Sequence, residues 1–215
     1  MLDVGLTGGI ASGKSAVATR LVEHGAVLID ADAMARRALE PGTEALASVV
    51  EAFGAELLDS KGRLDRPRLG GIVFADPQAR DTLNGIVHPR VRAEAARIRA
   101  EAAAQETSHR PVVVVQDIPL LVETGQAGSF DIVVTVQAPR AERIRRMMED
   151  RGMSQEDAVA RMAAQASDEQ RAAVSDVVLE NSGSLDELRT AVDELWTGTL
   201  QPQALRSVVT PGVNE

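Results

Sequence analysis

Short, unbroken apolar runs, each stopped by glycine or an acid, alternate along this chain with stretches whose apolar residues recur every three or four positions. The first run, residues 2–6, ends in Thr7-Gly8-Gly9 and predicts a buried strand. Over residues 13–23 the period turns helical, with Val17, Leu21 and Val22 on one side, and His24-Gly25 ends it. Residues 27–29 predict a second strand, stopped by Asp30-Ala31-Asp32. A third covers residues 112–115 and ends in Gln116-Asp117, a fourth covers 132–136 and a fifth 177–179. Helices are predicted over 141–149, 155–165 and 185–196. Continuously apolar strands alternating with helices imply an α/β fold whose parallel sheet is covered on both faces.

Residues 33–110 break this rhythm. They are rich in Ala and Arg, interrupted by Pro41-Gly42, Lys61-Gly62, Pro77 and Pro89, and hold no convincing strand. They read as a helical insertion between the second and third strands. His88-Pro89 reads as the start of a helix, because proline at a first helical position sacrifices no hydrogen bond. Residues 201–215 contain two prolines and little periodicity, so a mobile tail is expected there. The organisation is therefore one domain over 1–200, with its core in 1–32, 111–139 and 166–200, the insertion in 33–110, and a lid in 140–165.

Composition narrows the function. Aromatics are 2% of the chain, so the core must be aliphatic. There is no cysteine, which excludes disulfides and thiolate metal sites and suits a reducing compartment. A net charge of −9 disfavours nucleic acid as the main partner, since phosphate contacts need Lys and Arg. No apolar run reaches the ~20 residues of a membrane span, and the N-terminus lacks a secretion signal. A soluble, cytoplasmic protein with small-molecule partners is expected, with no membrane association and no obligate protein partner.

The most specific chemistry lies in Gly8-Gly9-Ile10-Ala11-Ser12-Gly13-Lys14-Ser15, which fits G-x-x-x-x-G-K-[ST] between a strand and a helix. Such a loop wraps phosphate with backbone N–H groups and needs glycine dihedrals to do so. Lys14 then serves the β/γ-phosphates of ATP, and the Ser15 hydroxyl serves Mg²⁺. A ligand-free glycine turn is the plainer alternative. Asp117, closing the third strand, is a second candidate for Mg²⁺, or else a turn or helix cap. Asp30 and Asp32 would point to one face if the second strand persists that far. A carboxylate there would suit a hydroxyl acceptor, which needs a base, better than a phosphate acceptor, which does not. The alternative is one acid capping a helix and the other solvated. Arg140, Arg143, Arg145, Arg146 and Arg151 read as a lid that neutralises phosphoryl charge, or as a solvated face paired with Glu142, Glu149 and Asp150. His24 and His109 read as structural.

These residues together resemble the bacterial dephospho-CoA kinases over residues 2–196. The markers are residues 5–10 leading into the glycine loop, Asp30-Ala31-Asp32, Glu40-Pro41-Gly42, His88-Pro89, residues 117–123, Gln165 and residues 181–184. The resemblance implies ATP-dependent phosphorylation of the ribose 3′-hydroxyl of dephospho-CoA, and a five-stranded parallel sheet with the first strand lying centrally beside the third. It implies Asp32 as base, with Lys14 and Arg146 on the transferring group. Residues 8–16 including Ala16, with Arg143 and Asn181, would bind ATP. Arg36, His88, Pro119 and Leu120 would lie near the acceptor. Ala11 stands where the family usually has Gly, Ser175 where Ala is common, and Arg143 where Gln is usual, which leaves the choice among Arg143, Arg145 and Arg146 open. Some relatives carry a further C-terminal domain, which is not expected here. The runners-up are a kinase for a nucleoside or sugar alcohol and a nucleotide-controlled switch; the switch lacks the Asn-Lys-x-Asp guanine motif.

Overall fold

The five apolar runs become five strands, β1 (Leu2–Gly8), β2 (Val27–Asp30), β3 (Val113–Asp117), β4 (Ile132–Gln137) and β5 (Val177–Glu180). The computed structural model describes residues 1–107 and 110–209, so the expectations for His109 and for residues 210–215 lie outside the described residues. The strands form one parallel sheet in the order β2-β3-β1-β4-β5. β1 lies between two later strands, with Leu6 opposite both Asp117 of β3 and Val134 of β4.

Parallel neighbours need long crossovers, and helices supply them. α1 (Lys14–Glu23) joins β1 to β2. Between β2 and β3 run α2 (Ala31–Ala38), α3 (Glu44–Phe53), α4 (Arg66–Ala75) and α5 (Pro77–Ala104). Between β4 and β5 run α6 (Arg140–Arg151), α7 (Gln155–Ala163) and α8 (Asp168–Ala172). After β5 come α9 (Leu185–Leu195), a π-helical turn over Trp196–Leu200, and α10 (Gln201–Val209).

The two-residue alternation of β1 sends Leu2, Val4 and Leu6 to one face. There they join Val113, Val115, Val134 and Val136, together with Val17 and Leu21 of α1 and Leu188 and Val192 of α9. The intervening positions Thr7, Val114, Val133 and Thr135 are buried as well, so neither face of the sheet is open. Ser175 gives the buried Thr135 hydroxyl its partner at 2.6 Å and donates to the Arg171 carbonyl at 2.7 Å. An alanine there could do neither.

The described chain divides into two compact units, Met1–Ile29 with the residues from Glu101 onward, and Asp30–Ala100. The second unit has its own core of Leu39, Ala45, Val49, Leu57, Leu69 and Val87.

Two elements differ from the sequence reading. Pro89 does not start a helix; it lies inside the 28-residue α5. The ring removes a hydrogen bond to the carbonyl of Gly85. Gly85 is exposed, with open space where a Cβ would stand, so that carbonyl lies on the solvent side of the helix while Val87 stays buried. The chain beyond Leu200 is helical to Val209 rather than mobile. Pro202 follows the π-helical turn directly, in the first turn of α10, and buried Leu200 and Ala204 dock the segment on the core. Among the described residues no helix is long and apolar enough to cross a membrane.

Candidate active site

Where β1 ends, the chain must reverse into α1, and the reversal uses positive φ at Ala11 (59°) and Gly13 (99°). Gly13 is the N-cap of α1, and a Cβ on it would run into the Asn181 side-chain amide. A Cβ on Gly9 would meet the Arg143 guanidinium. Gly13 is therefore favoured by its positive φ as well as by close approach, and Gly9 by the close approach of Arg143 alone.

Five consecutive carbonyls of this loop are engaged. Gly9 O accepts from Ser12 N at 3.1 Å, and Gly13 O from Ala16 N at 3.0 Å. Ile10 O accepts from Arg143 Nε at 2.9 Å, Ala11 O from Arg146 Nη1 at 3.3 Å, and Ser12 O from Asn181 Nδ2 at 2.8 Å. The amides are treated differently. Ile10 N donates to Gln165 Oε1 at 2.8 Å and Ser12 N to Gly9 O. The N–H groups of Ala11, Gly13 and Ser15 meet no acceptor among the described residues, and the buried Ser12 hydroxyl has no partner either. Occupied carbonyls and unclaimed amides make a cradle for an anion, to which α1 adds its N-terminal dipole. Ile10 contributes to it through its anchored backbone, since its own amide is taken.

Ala11 pays for the turn. A side-chain-bearing residue in this region costs about 1–2 kcal/mol, against about 0.4–1 kcal/mol of unfolded-chain entropy that a glycine would add. Ala11→Gly is therefore expected to stabilise the protein by about 0.5–1 kcal/mol. Urea unfolding checks this; an unchanged or lower midpoint would mean the loop is unstrained at Ala11.

The register of β1 against β3 brings the end of β3 to the cradle, and Lys14 Nζ forms an ion pair with Asp117 Oδ1. Asp117 is thus engaged by the loop lysine rather than by a turn. Both side chains are largely buried, 15% and 12% exposed. Among the described residues no group of three acidic or histidine side chains could hold a metal unaided. Ser15 and Asp117, supplemented by phosphate oxygens, suit the sparse protein ligation of Mg²⁺.

The structure separates the lid arginines. Arg143 is 2% exposed and lies against Gly9 and Ile10. Arg146 reaches Ala11 and also donates to Glu142 Oε1 at 2.9 Å. Arg145 is half exposed and paired with Glu142 and Glu149, as a solvated face would be. Arg145, then Arg146, holds the Glu142 carboxyl down to about 2. Arg140 and Arg151 are exposed.

Asp30 and Asp32 do not share a strand face. β2 stops at Asp30, whose carboxylate caps α2 by accepting from Ala33 N at 2.8 Å, and Asp32 is an exposed residue in the first helical turn. The N-cap bond ends the strand before the alternation can carry both acids. Arg36 and His88 are exposed on the second unit. Pro119 and Leu120 lie in the turn after β3, with Leu120 46% exposed and Leu121 fully buried. His24 has a structural place, 2.6 Å from Asp193 and stacked on Trp196.

Sequence reasoning gave no role to Gln165 or Glu123, both among the family markers, and passed over Asp168 and Arg171. The run Asp168-Glu169-Gln170-Arg171 reads as a solvated helix, yet Arg171 is 1% exposed. Only its packing reveals this.

A parallel sheet with a phosphate cradle after its central strand is the architecture of the P-loop nucleotide-binding proteins. Comparison narrows the class. The dephospho-CoA kinase family profile matches residues 2–187. The dephospho-CoA kinase of Streptomyces avermitilis is 52% identical over 196 residues, covering 91% of this chain and 93% of that one. That of Mycolicibacterium paratuberculosis is 52% identical over 204 residues, 95% of this chain; the chain spans about half (49%) of the length of that relative. TT1252 from Thermus thermophilus superposes with a TM-score of 0.72 at 37% identity, over 93% of this chain and 98% of that one. Dephospho-CoA kinase from Campylobacter jejuni shares the fold, with a TM-score of 0.67 at 24% identity over 94% and 98%. The chain belongs to the dephospho-CoA kinase family. It is a kinase, and the family's reaction is the ATP-dependent phosphorylation of dephospho-CoA in coenzyme A synthesis.

Proposed function

We propose that this chain, in the cytoplasm, moves the γ-phosphoryl group of Mg-ATP to the ribose 3′-hydroxyl of dephospho-CoA, with Asp32 as the base. The observation that carries the reading is the cradle: five carbonyls engaged and the amides of Ala11, Gly13 and Ser15 left to bind phosphate. Ser15 and Asp117 are the residues that would hold Mg²⁺, which supplies positive charge to the β- and γ-phosphate oxygens when bound. Lys14 and Arg146 neutralise the charge that spreads over the transferring group. Asp32 accepts the hydroxyl proton as the new P–O bond forms and the bond to the ADP oxygen breaks. Capping supports this choice of acid, because Asp30 already spends its carboxylate on Ala33 N while Asp32 has no such duty. Arg36, His88, Pro119 and Leu120 are assigned to the acceptor on the family resemblance, and Arg143, Asn181 and Ala16 to ATP binding through the loop they support.

A coupled assay of ADP release with dephospho-CoA, adenosine and gluconate tests the reading. Turnover is expected with dephospho-CoA. Turnover of adenosine or gluconate with none of dephospho-CoA would replace it with a nucleoside or sugar kinase.

A further inference from the structure

We propose that Asp168 is a positioning residue for nucleotide binding: its carboxylate aligns the buried Arg143 guanidinium on the Ile10 carbonyl and so keeps the cradle preformed. The inference rests on the reading of residues 8–15 as the ATP cradle.

A guanidinium that is 2% exposed must be paired, because an isolated charge is poorly solvated in the interior. Arg143 Nη1 donates to Asp168 Oδ1 at 3.0 Å and to Oδ2 at 3.3 Å, which leaves Nε aimed at Ile10 O, 2.9 Å away. Asp168 has a second claimant. Arg171, 1% exposed, donates from Nη1 to the same Oδ1 at 3.3 Å. Among the described residues the Nε and Nη2 atoms of Arg171 have no hydrogen-bond partner. Its other carboxylate neighbour, Glu123, is 3.7 Å away and already accepts from Ala166 N at 2.7 Å. One carboxylate thus stands between two buried cations. Burial lowers the Arg143 pKa and the Arg171 charge adds to this, while Asp168 opposes both.

Asp168 is itself held. It opens α8 behind the Ser167 capping box, and its carbonyl accepts from Gln137 Nε2 at the end of β4, 2.8 Å away. Three residues earlier, Gln165 accepts from Ile10 N. Segment 165–168 therefore governs both polar backbone groups of Ile10, one directly through Gln165 and one through Arg143. Without Asp168 the Arg143 guanidinium loses the acceptor that orients it on the loop, and repulsion by Arg171 adds to its withdrawal. The loop must then be ordered by the nucleotide, at a cost in affinity.

Calorimetry with Mg-ATP and steady-state kinetics on the full chain test this. Asp168→Asn is expected to raise the Kd and KM for ATP about tenfold, in the range of couplings between contacting residues. The kcat at saturating ATP and the KM for dephospho-CoA should change less than about threefold, since neither depends on how the free loop is ordered. Asp168→Glu should restore part of the affinity. In an Arg143→Gln background, Asp168→Asn should change the ATP Kd less than about twofold, because no guanidinium remains to be aligned.

Equal effects in the two backgrounds, or a folded Asp168→Asn protein with a lower melting temperature but unaltered ATP affinity, would overturn the proposal. Should Asp168→Asn fail to fold, Asp168→Asn/Arg171→Met removes one charge of each sign. ATP binding is expected to stay weaker than wild type, because the acceptor that orients Arg143 is still missing, and wild-type affinity overturns the proposal. If the unaltered protein gave no heat with Mg-ATP, the cradle reading itself would fall, a distinguishable failure.

Discussion

Lys14→Met should lower turnover by about 10²–10³-fold, the typical loss when one preorganised donor to developing charge is removed. The methionine keeps most of the stem and removes the ammonium. The substitution also strips Asp117 of its cation in a largely buried pair, so some loss of stability should accompany it. Lys14→Met/Asp117→Asn separates the two effects. Removing the stranded carboxylate charge should recover much of the melting temperature without restoring turnover. Near-normal kcat in Lys14→Met would show that the residue serves the Asp117 pair and not the transfer.

Asp32→Asn should leave ATP binding intact and lower kcat by about 10²–10⁴-fold, the contribution of a positioned general base. The informative control is Asp30→Asn. Asparagine caps a helix about as well as aspartate, so α2 should keep its start and the rate should stay near normal. A large rate loss in Asp30→Asn with little in Asp32→Asn would reverse the two assignments. Equal, large losses in both would mean that the turn between β2 and α2 is used as a unit.

The parts of the fold legible in the sequence were those with a local physical cause. Each strand is a short apolar run because both faces of a parallel sheet are buried, and the observed strands include or overlap every predicted run. The cradle was legible because a tight turn into a helix needs particular residues at fixed spacing. Pro89 was misread because a helix can absorb a proline where the abandoned carbonyl is exposed, which depends on the neighbours of Gly85. α10 was missed because Leu200 and Ala204 gain their meaning only against the core. One strand face for Asp30 and Asp32 required the second strand to persist, and the alternation rule cannot see the Ala33 amide that ends it; the capping alternative is the one observed. Of the Arg143–Asp168–Arg171 cluster only Arg143 was legible, as a candidate for ATP binding; Asp168 and Arg171 drew no reading, because burial is a property of the fold.

The grip on the glycine-rich turn has a consequence for biosynthesis. The turn leaves the ribosome more than 130 residues ahead of its clasps Arg143, Arg146, Gln165 and Asn181. A nascent chain carries the whole signature string long before it has the fingers that hold it in shape. Competence to capture a nucleotide should therefore arrive late and abruptly in translation, once β5 and Asn181 have emerged, so a half-made chain would not sequester ATP.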